Sequence, residues 1–280
     1  MPNMFWYLLL LVFSIGLFAV CLIKDKRSFL PLWLFNSGLA YLFELIVYVV
    51  YNCYLYKPNV FHDSFIDSTF GSIFSQGLSV PIAAAFGSIY KIKARYVIVF
   101  ALSFSLVEVL FLKLDVYELN WWRTSYTFLF IPVLFYISKA WYSLLKKEDR
   151  IVIIFTKYIC MITISITVTW LLYALQPTVI FQTGLFAESS RDHTFANAIY
   201  SIGISVLYTA AAFSRKFIWK ILYFFIILLA DSILFTLHLL IIHNSIEAIS
   251  LAAIHLFFIS CSSLLKRVFF PNFNEELLRK

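Results

Sequence analysis

Along the chain, apolar stretches of membrane-spanning length alternate with short polar gaps from one end to the other. Nine stretches are predicted as helices, at about 4–23, 30–54, 65–90, 95–114, 121–145, 151–175, 195–213, 217–242 and 245–265. Crossing a bilayer takes roughly 17–25 predominantly apolar residues in a helix. None of the nine carries the continuous polar face that a helix of a soluble bundle shows to water. The predicted fold class is therefore all-α: a polytopic integral membrane helical bundle of about nine transmembrane helices, with the lipid bilayer as its first partner.

Composition agrees, and charge adds an orientation. Of 280 residues 62% are hydrophobic and only 13% charged, about half the charge of an ordinary soluble domain. The 22 Lys and Arg residues crowd into every second gap, which holds 18 of them: Lys24, Lys26, Arg27; Lys91, Lys93, Arg95; Lys139, Lys146, Lys147, Arg150, Lys157; Arg215, Lys216, Lys220; and Lys266, Arg267, Arg279, Lys280. The alternate gaps hold only Lys57, Lys113, Arg123 and Arg191. Short basic loops stay cytoplasmic, which predicts an outside N-terminus and a cytoplasmic tail from Phe270 to Lys280. The net charge of +7 is spent on those loops, so no nucleic-acid partner is expected. The first stretch has no basic segment before it and no convincing cleavage site, which reads as a retained helix and not a leader.

A faint internal repeat is visible. His62-Asp63-Ser64-Phe65 opens the third stretch and Asp192-His193-Thr194-Phe195 the seventh, while Ala83-Ala84-Ala85-Phe86 and Ala210-Ala211-Ala212-Phe213 end them. A basic loop and a helix with one acid follow each, Glu108 in one case and Asp231 in the other. The expected organisation is an N-terminal helix with a basic inner loop (1–29), a first four-span unit (30–150), a second (151–268) and the tail (269–280). An even number of spans per unit makes the two units parallel in the membrane.

Charge within hydrocarbon marks the candidate chemistry, because an acid at a helix centre costs on the order of 2.5–3.5 kcal/mol on insertion scales. Glu44, Glu108 and Asp231 are the acids so placed, with His238, His255 and the interior Gln76 as polar companions. Asn36, Ala40, Glu44 and Tyr48 fall at fourfold spacing on one face. Asp231 and His238 are expected to share a face, as are Glu247, His255 and Ser262. Two readings stay open for these residues: binding a small solute, cation or proton near the interface of the repeats, or hydrogen bonding that holds the bundle together. The third stretch is rich in small residues, Ser68, Gly71, Ser72, Ser75, Ser79, Ala83 and Gly87, around Gln76 and Pro81. Close helix packing is the leading explanation; a helix broken at Pro81 and lining a path is the sharper one.

Other signals are bland. Cys21, Cys53, Cys160 and Cys261 are scattered, with neither a disulfide framework nor a thiolate metal site; no metal, cofactor or catalytic constellation is expected, and the chain is not read as an enzyme. The cluster Glu188, Arg191, Asp192, His193 reads as a solvated loop. The run from Glu108 to Tyr136, with Asp115-Val-Tyr117-Glu118-Leu-Asn120-Trp121-Trp122-Arg123-Thr-Ser-Tyr126-Thr127, stands beside Lys26-Arg27 and Pro58-Asn59-Val60-Phe61-His62-Asp63. Over residues 20–145 these motifs resemble a family of short multi-pass membrane proteins of spore-forming bacteria with no established activity. The resemblance implies a bacterial plasma membrane and no mechanism; the second half of this chain departs from it.

The functional expectation is a small-solute, cation or proton-coupled carrier using its intramembrane acids. The alternative is a non-catalytic membrane subunit, sensor or assembly factor, alone or in a homo- or hetero-oligomer, whose polar residues set packing.

Overall fold

In the computed structural model, which describes residues 2–176 and 179–270, two short strand pairs organise the helices. The chain divides into two compact units, residues 1–149 and 150–280. The first contains α1 (Met4–Glu44) with its π-helical continuation (Leu45–Val50), β1 (Tyr54–Tyr56), α2 (Ser64–Ser72), a π-helical segment (Ile73–Ser79), α3 (Val80–Ile89), α4 (Ala94–Lys113), β2 (Tyr117–Leu119) and α5 (Thr124–Leu145). The second contains α6 (Arg150–Leu175), β3 (Val179–Phe181), α7 (Ser189–Phe213), α8 (Phe217–Thr236), β4 (Leu240–Ile242) and α9 (Ser245–Phe269). From the second arm of α1 onward both units run helix, strand, helix, helix, strand, helix. Antiparallel pairing sets Tyr54 opposite Leu119 and Tyr56 opposite Tyr117 in one, and Val179 opposite Ile242 and Phe181 opposite Leu240 in the other.

The strands correct two predicted helix ends. Spans drawn to residues 54 and 242 stop at Val50 and Thr236, because Asn52 (φ 47°) and His238 (φ 58°) enter the left-handed region, which ends a helix. The next residues pair as strands, satisfying backbone groups that no water-free environment would. The seventh helix starts at Ser189 and not 195, so Asp192 and His193, read as a solvated loop, are buried. Residues 271–280, most of the expected tail, lie outside the described residues.

Among the described residues eight helices are long and apolar enough to cross a membrane. The first run, Met4–Val50, is 47 residues, about 70 Å at 1.5 Å per residue and more than twice a hydrocarbon core. It takes in both of the first two predicted spans and breaks at Asp25 (φ −155°, ψ 69°). There Oδ1 accepts the Ser28 N–H at 3.3 Å, as an N-cap does when a helix starts afresh. Tyr142 Oη (2.8 Å) and Lys146 Nζ (2.7 Å) hold the same carboxylate at the end of α5. The far end of the first arm is tied to the strand end of the unit: Asn3 Nδ2 donates to the Lys57 carbonyl at 2.8 Å and Tyr7 Oη to the Val116 carbonyl at 2.6 Å. Ser14 and Ser79 meet at 2.7 Å between them. Residues 1–29 are thus part of the first unit and not a separate segment.

One local device recurs in both units. Asp67 accepts the N–H groups of Asn59, Val60 and Phe61 at 2.7–3.0 Å, and Ser68 Oγ accepts that of Tyr56 at 2.9 Å. Asp192 accepts those of Thr183, Gly184, Leu185 and Phe186 at 2.6–3.3 Å, and His193 Nδ1 that of Phe181 at 3.0 Å. Asp67-Ser68 therefore matches Asp192-His193, a register five residues on from the one read off the sequence. Asp63 is instead the N-cap of α2, accepting from Phe65 and Ile66.

The small residues of α2 and α3 serve packing, as expected. A Cβ on Gly71 would come within 2.5 Å of Tyr56 Cβ, and one on Gly87 within 2.9 Å of the Phe135 ring. Ala83 and Ala84 are buried against Val97, Ala101 and Ile131. Large apolar residues such as Phe13, Leu106, Leu129, Phe225 and Leu229 remain exposed on the outer surfaces, the arrangement that suits lipid as solvent.

Candidate functional site

Proline chemistry opens the centre of the first unit. Pro81 has no N–H, so the Gly77 carbonyl four residues earlier has no helical donor. Trp33 Nε1 (3.0 Å) and Ser37 Oγ (2.8 Å) donate to it instead, while Asn36 Nδ2 donates to the Pro81 carbonyl at 3.2 Å. The π-helical segment just before the proline widens the helix there and turns Ser75 and Gln76 inward.

These two residues line a cavity of 320 Å³ among α1, the α2–α3 helix, α4, α5 and the strands. Its walls are mostly apolar, the rings of Tyr7, Phe43, Tyr54, Tyr56, Tyr117, Trp122 and Phe130 alternating with aliphatic residues such as Leu39, Val80 and Leu134, and one carboxylate, Glu108, reaches it. Glu108 Oε2 accepts from Thr127 Oγ1, which in turn accepts from Trp122 Nε1 at 2.9 Å. That chain fixes the carboxylate against one wall, its other oxygen is buried, and Thr124 at the start of α5 is a second hydroxyl acting on it. Glu44 lies one side chain behind the wall: the Tyr54 hydroxyl, which lines the cavity, donates to Glu44 Oε1. Burial pushes the Tyr54, Tyr56 and Tyr117 phenols well above their usual range, with the Glu44 charge adding to it at Tyr54. They remain neutral donors. Asn36, Ala40, Glu44 and Tyr48, placed on one face by spacing, are all buried.

The second unit gathers a different centre. Asp231 on α8 accepts from Tyr200 Oη at 2.5 Å and faces His255 Nε2 on α9 at 2.8 Å; His255 Nδ1 lies 2.7 Å from Tyr208 Oη. All of Asp231, His255 and Tyr208 are buried. Lys157, counted above with the inner-loop charges, is fully buried two turns into α6, its Nζ 2.5 Å from the Ser262 carbonyl.

The candidates therefore separate. Glu44, Glu108 and Gln76 come together within the first unit, and Asp231 and His255 within the second. His238 joins neither: it is exposed, two residues past the end of α8, so the helical face expected to carry it beside Asp231 does not exist. Glu247 also leaves the stripe of His255 and Ser262, accepting from the His243 and Asn244 groups at the start of α9. Thr127, Tyr200 and Tyr208 escape sequence reasoning because each partner lies on another helix, and Trp122 and Tyr54 because they act from a loop and a strand, where helical spacing says nothing. The duplicated device offers a clue: eight residues after Asp67 stands Ser75, and eight after Asp192 stands Tyr200. Ser75 lines the cavity that Glu108 reaches, whereas Tyr200 donates its hydroxyl to Asp231. Among the described residues no three metal-ligating side chains gather.

No family model, curated protein or solved structure matches the chain.

Proposed function

We propose that this protein is a multi-pass membrane carrier that binds a small organic cation in the cavity of its first unit. The observation that carries the reading is one carboxylate, Glu108, as the single charged group lining an apolar pocket in which nine aromatic rings take part. Ring faces attract a desolvated cation by about 2 kcal/mol or more, and in a water-poor pocket a single counter-charge acts strongly. Tyr54, Tyr56 and Tyr117 add neutral polar contacts that fix orientation. No covalent step is part of this reading, and the ligand is cargo and not a reactant.

The protein on this proposal crosses the bilayer nine times, α1 passing once on each side of Asp25. The strand end faces outside and the Asp25–Lys146 end faces the cytoplasm, following the basic loops. The membrane we assign is a bacterial plasma membrane, on the resemblance of residues 20–145. A second reading, a non-catalytic subunit, is favoured by one observation alone: both oxygens of Asp231 are hydrogen-bonded, as structural glue requires.

Binding of a tetraalkylammonium ion to purified protein, and its uptake into proteoliposomes, test the proposal. Wild type is expected to bind and transport, Glu108→Gln to lose at least tenfold in both, and Asp231→Asn to bind as wild type. Binding that survives Glu108→Gln unchanged overturns the site; binding without uptake overturns the carrier role and leaves a sensor.

A further inference from the structure

The cavity that Glu108 reaches comes to the outer surface between the second arm of α1 and α5. The two helices touch near the strand end, where the Phe43 and Phe130 rings lie 5.2 Å apart. They touch again about two turns further along α5, where Asn36 Nδ2 donates to Ser138 Oγ at 2.9 Å and the Phe35 ring stacks on Trp141 at 4.3 Å. Between these contacts Leu39 lines the cavity from one helix, and Val133 and Ile137 from the other. Val133 is 49% exposed and Ile137 42%. A side chain that lines a cavity and is nearly half exposed stands at its mouth. Both residues lie in the middle of α5, so with α5 as a span the mouth opens into hydrocarbon and not into water.

The carboxylate sits to one side of this mouth. Glu108 stands within the last two turns of α4 and its partner Thr127 in the first turn of α5, both toward the strand end. From Thr127 to Ile137 the cavity follows α5 for about 15 Å at 1.5 Å per residue. An acid near one membrane surface is thus continuous with an apolar slot running toward the bilayer middle. That is the layout of a molecule standing in one leaflet, head at the surface and chain inward.

We infer that the ligand of this cavity is an amphipathic cation, with its ammonium head at Glu108 and its alkyl chain in the slot between α1 and α5. The inference rests on the cation-binding reading above and narrows its ligand class. Glu108 supplies the complementary charge and the rings beside it suit a desolvated ammonium. The chain gathers the ligand into the bilayer, where the mouth lies, and packs against both helices by dispersion.

The test is equilibrium binding of decyltrimethylammonium and tetramethylammonium to the full-length protein in phosphatidylcholine nanodiscs, with protein-free nanodiscs as the blank. Wild type is expected to bind the decyl compound at least tenfold more tightly. Val133→Trp and Ile137→Trp, both at exposed positions, fill the slot. Each is expected to weaken decyltrimethylammonium at least tenfold, to keep tetramethylammonium within twofold, and to melt within a few degrees of wild type. Leu129→Trp, exposed on the same helix but outside the cavity lining, is expected to bind both as wild type does. Equal affinity for the two cations, or an equal loss in Leu129→Trp, overturns the slot and leaves the cation site standing. Displacement of decyltrimethylammonium by an equal concentration of decanol overturns it too, since the slot would then take any alkyl chain. Binding of neither cation overturns this inference together with the reading it rests on.

Discussion

His255 Nε2 lies 2.8 Å from Asp231 Oδ2, and the same ring reaches Tyr208 Oη with its other nitrogen at 2.7 Å. Three helices, α7, α8 and α9, are joined through this one imidazole. Each group is shielded from solvent, so removing one leaves the others to bear their desolvation.

His255→Phe should therefore destabilise the second unit by about 2 kcal/mol, roughly 1 kcal/mol for each orphaned partner. Thermal unfolding in detergent checks this. A variant as stable as wild type would show that Asp231 and Tyr208 find other partners.

Ser75→Tyr should close the cation cavity. The position matched by counting from the duplicated aspartates already carries Tyr200 in the second unit, so the fold tolerates the bulk. Tetraalkylammonium binding is expected to fall at least tenfold with the melting temperature within a few degrees of wild type. Retained binding would move the ligand elsewhere.

Lys157→Met should leave stability unchanged or raise it. An ammonium buried against a carbonyl and a thioether (Ser262 O and Met161 Sδ) bears its desolvation, which a methionine of similar shape avoids. A fall of more than about 2 kcal/mol in chemical or thermal unfolding would show that the charge itself is needed.

The strand end should weaken in alkali. Glu118, then Asp115, raise the Lys57 ammonium above its usual range. Its contribution is complete below the unfolded lysine value of about 10.4 and is lost as pH rises through the folded one. Burial of the Tyr54, Tyr56 and Tyr117 phenols works in the same direction, since the unfolded chain ionises first, near pH 10. Melting temperature is expected to be level from pH 7 to 9 and to drop above about pH 10, less steeply in Tyr117→Phe. Because Lys57 is partly exposed, Lys57→Ala alone should cost under about 1 kcal/mol.

The amino-acid sequence by itself determined the class of this protein and much of its plan. Apolar runs of spanning length dictate helices, because backbone groups in hydrocarbon must be satisfied within their own segment. It also exposed Glu44, Glu108 and Asp231 as charges that need an explanation, and Pro81 as the place where a carbonyl is released. Tertiary structure decided which of these meet. Glu108 on α4 and Gln76 on the π-helical segment share a cavity through the packing of their helices, and Asp231 meets His255 and not His238 because α8 ends two residues before the latter. Asp25 restarts a helix, and Asp67 and Asp192 gather loop N–H groups, through contacts that no periodicity records. Helical spacing fixes which side chains share a face; which face meets which is set by packing between segments far apart in the chain.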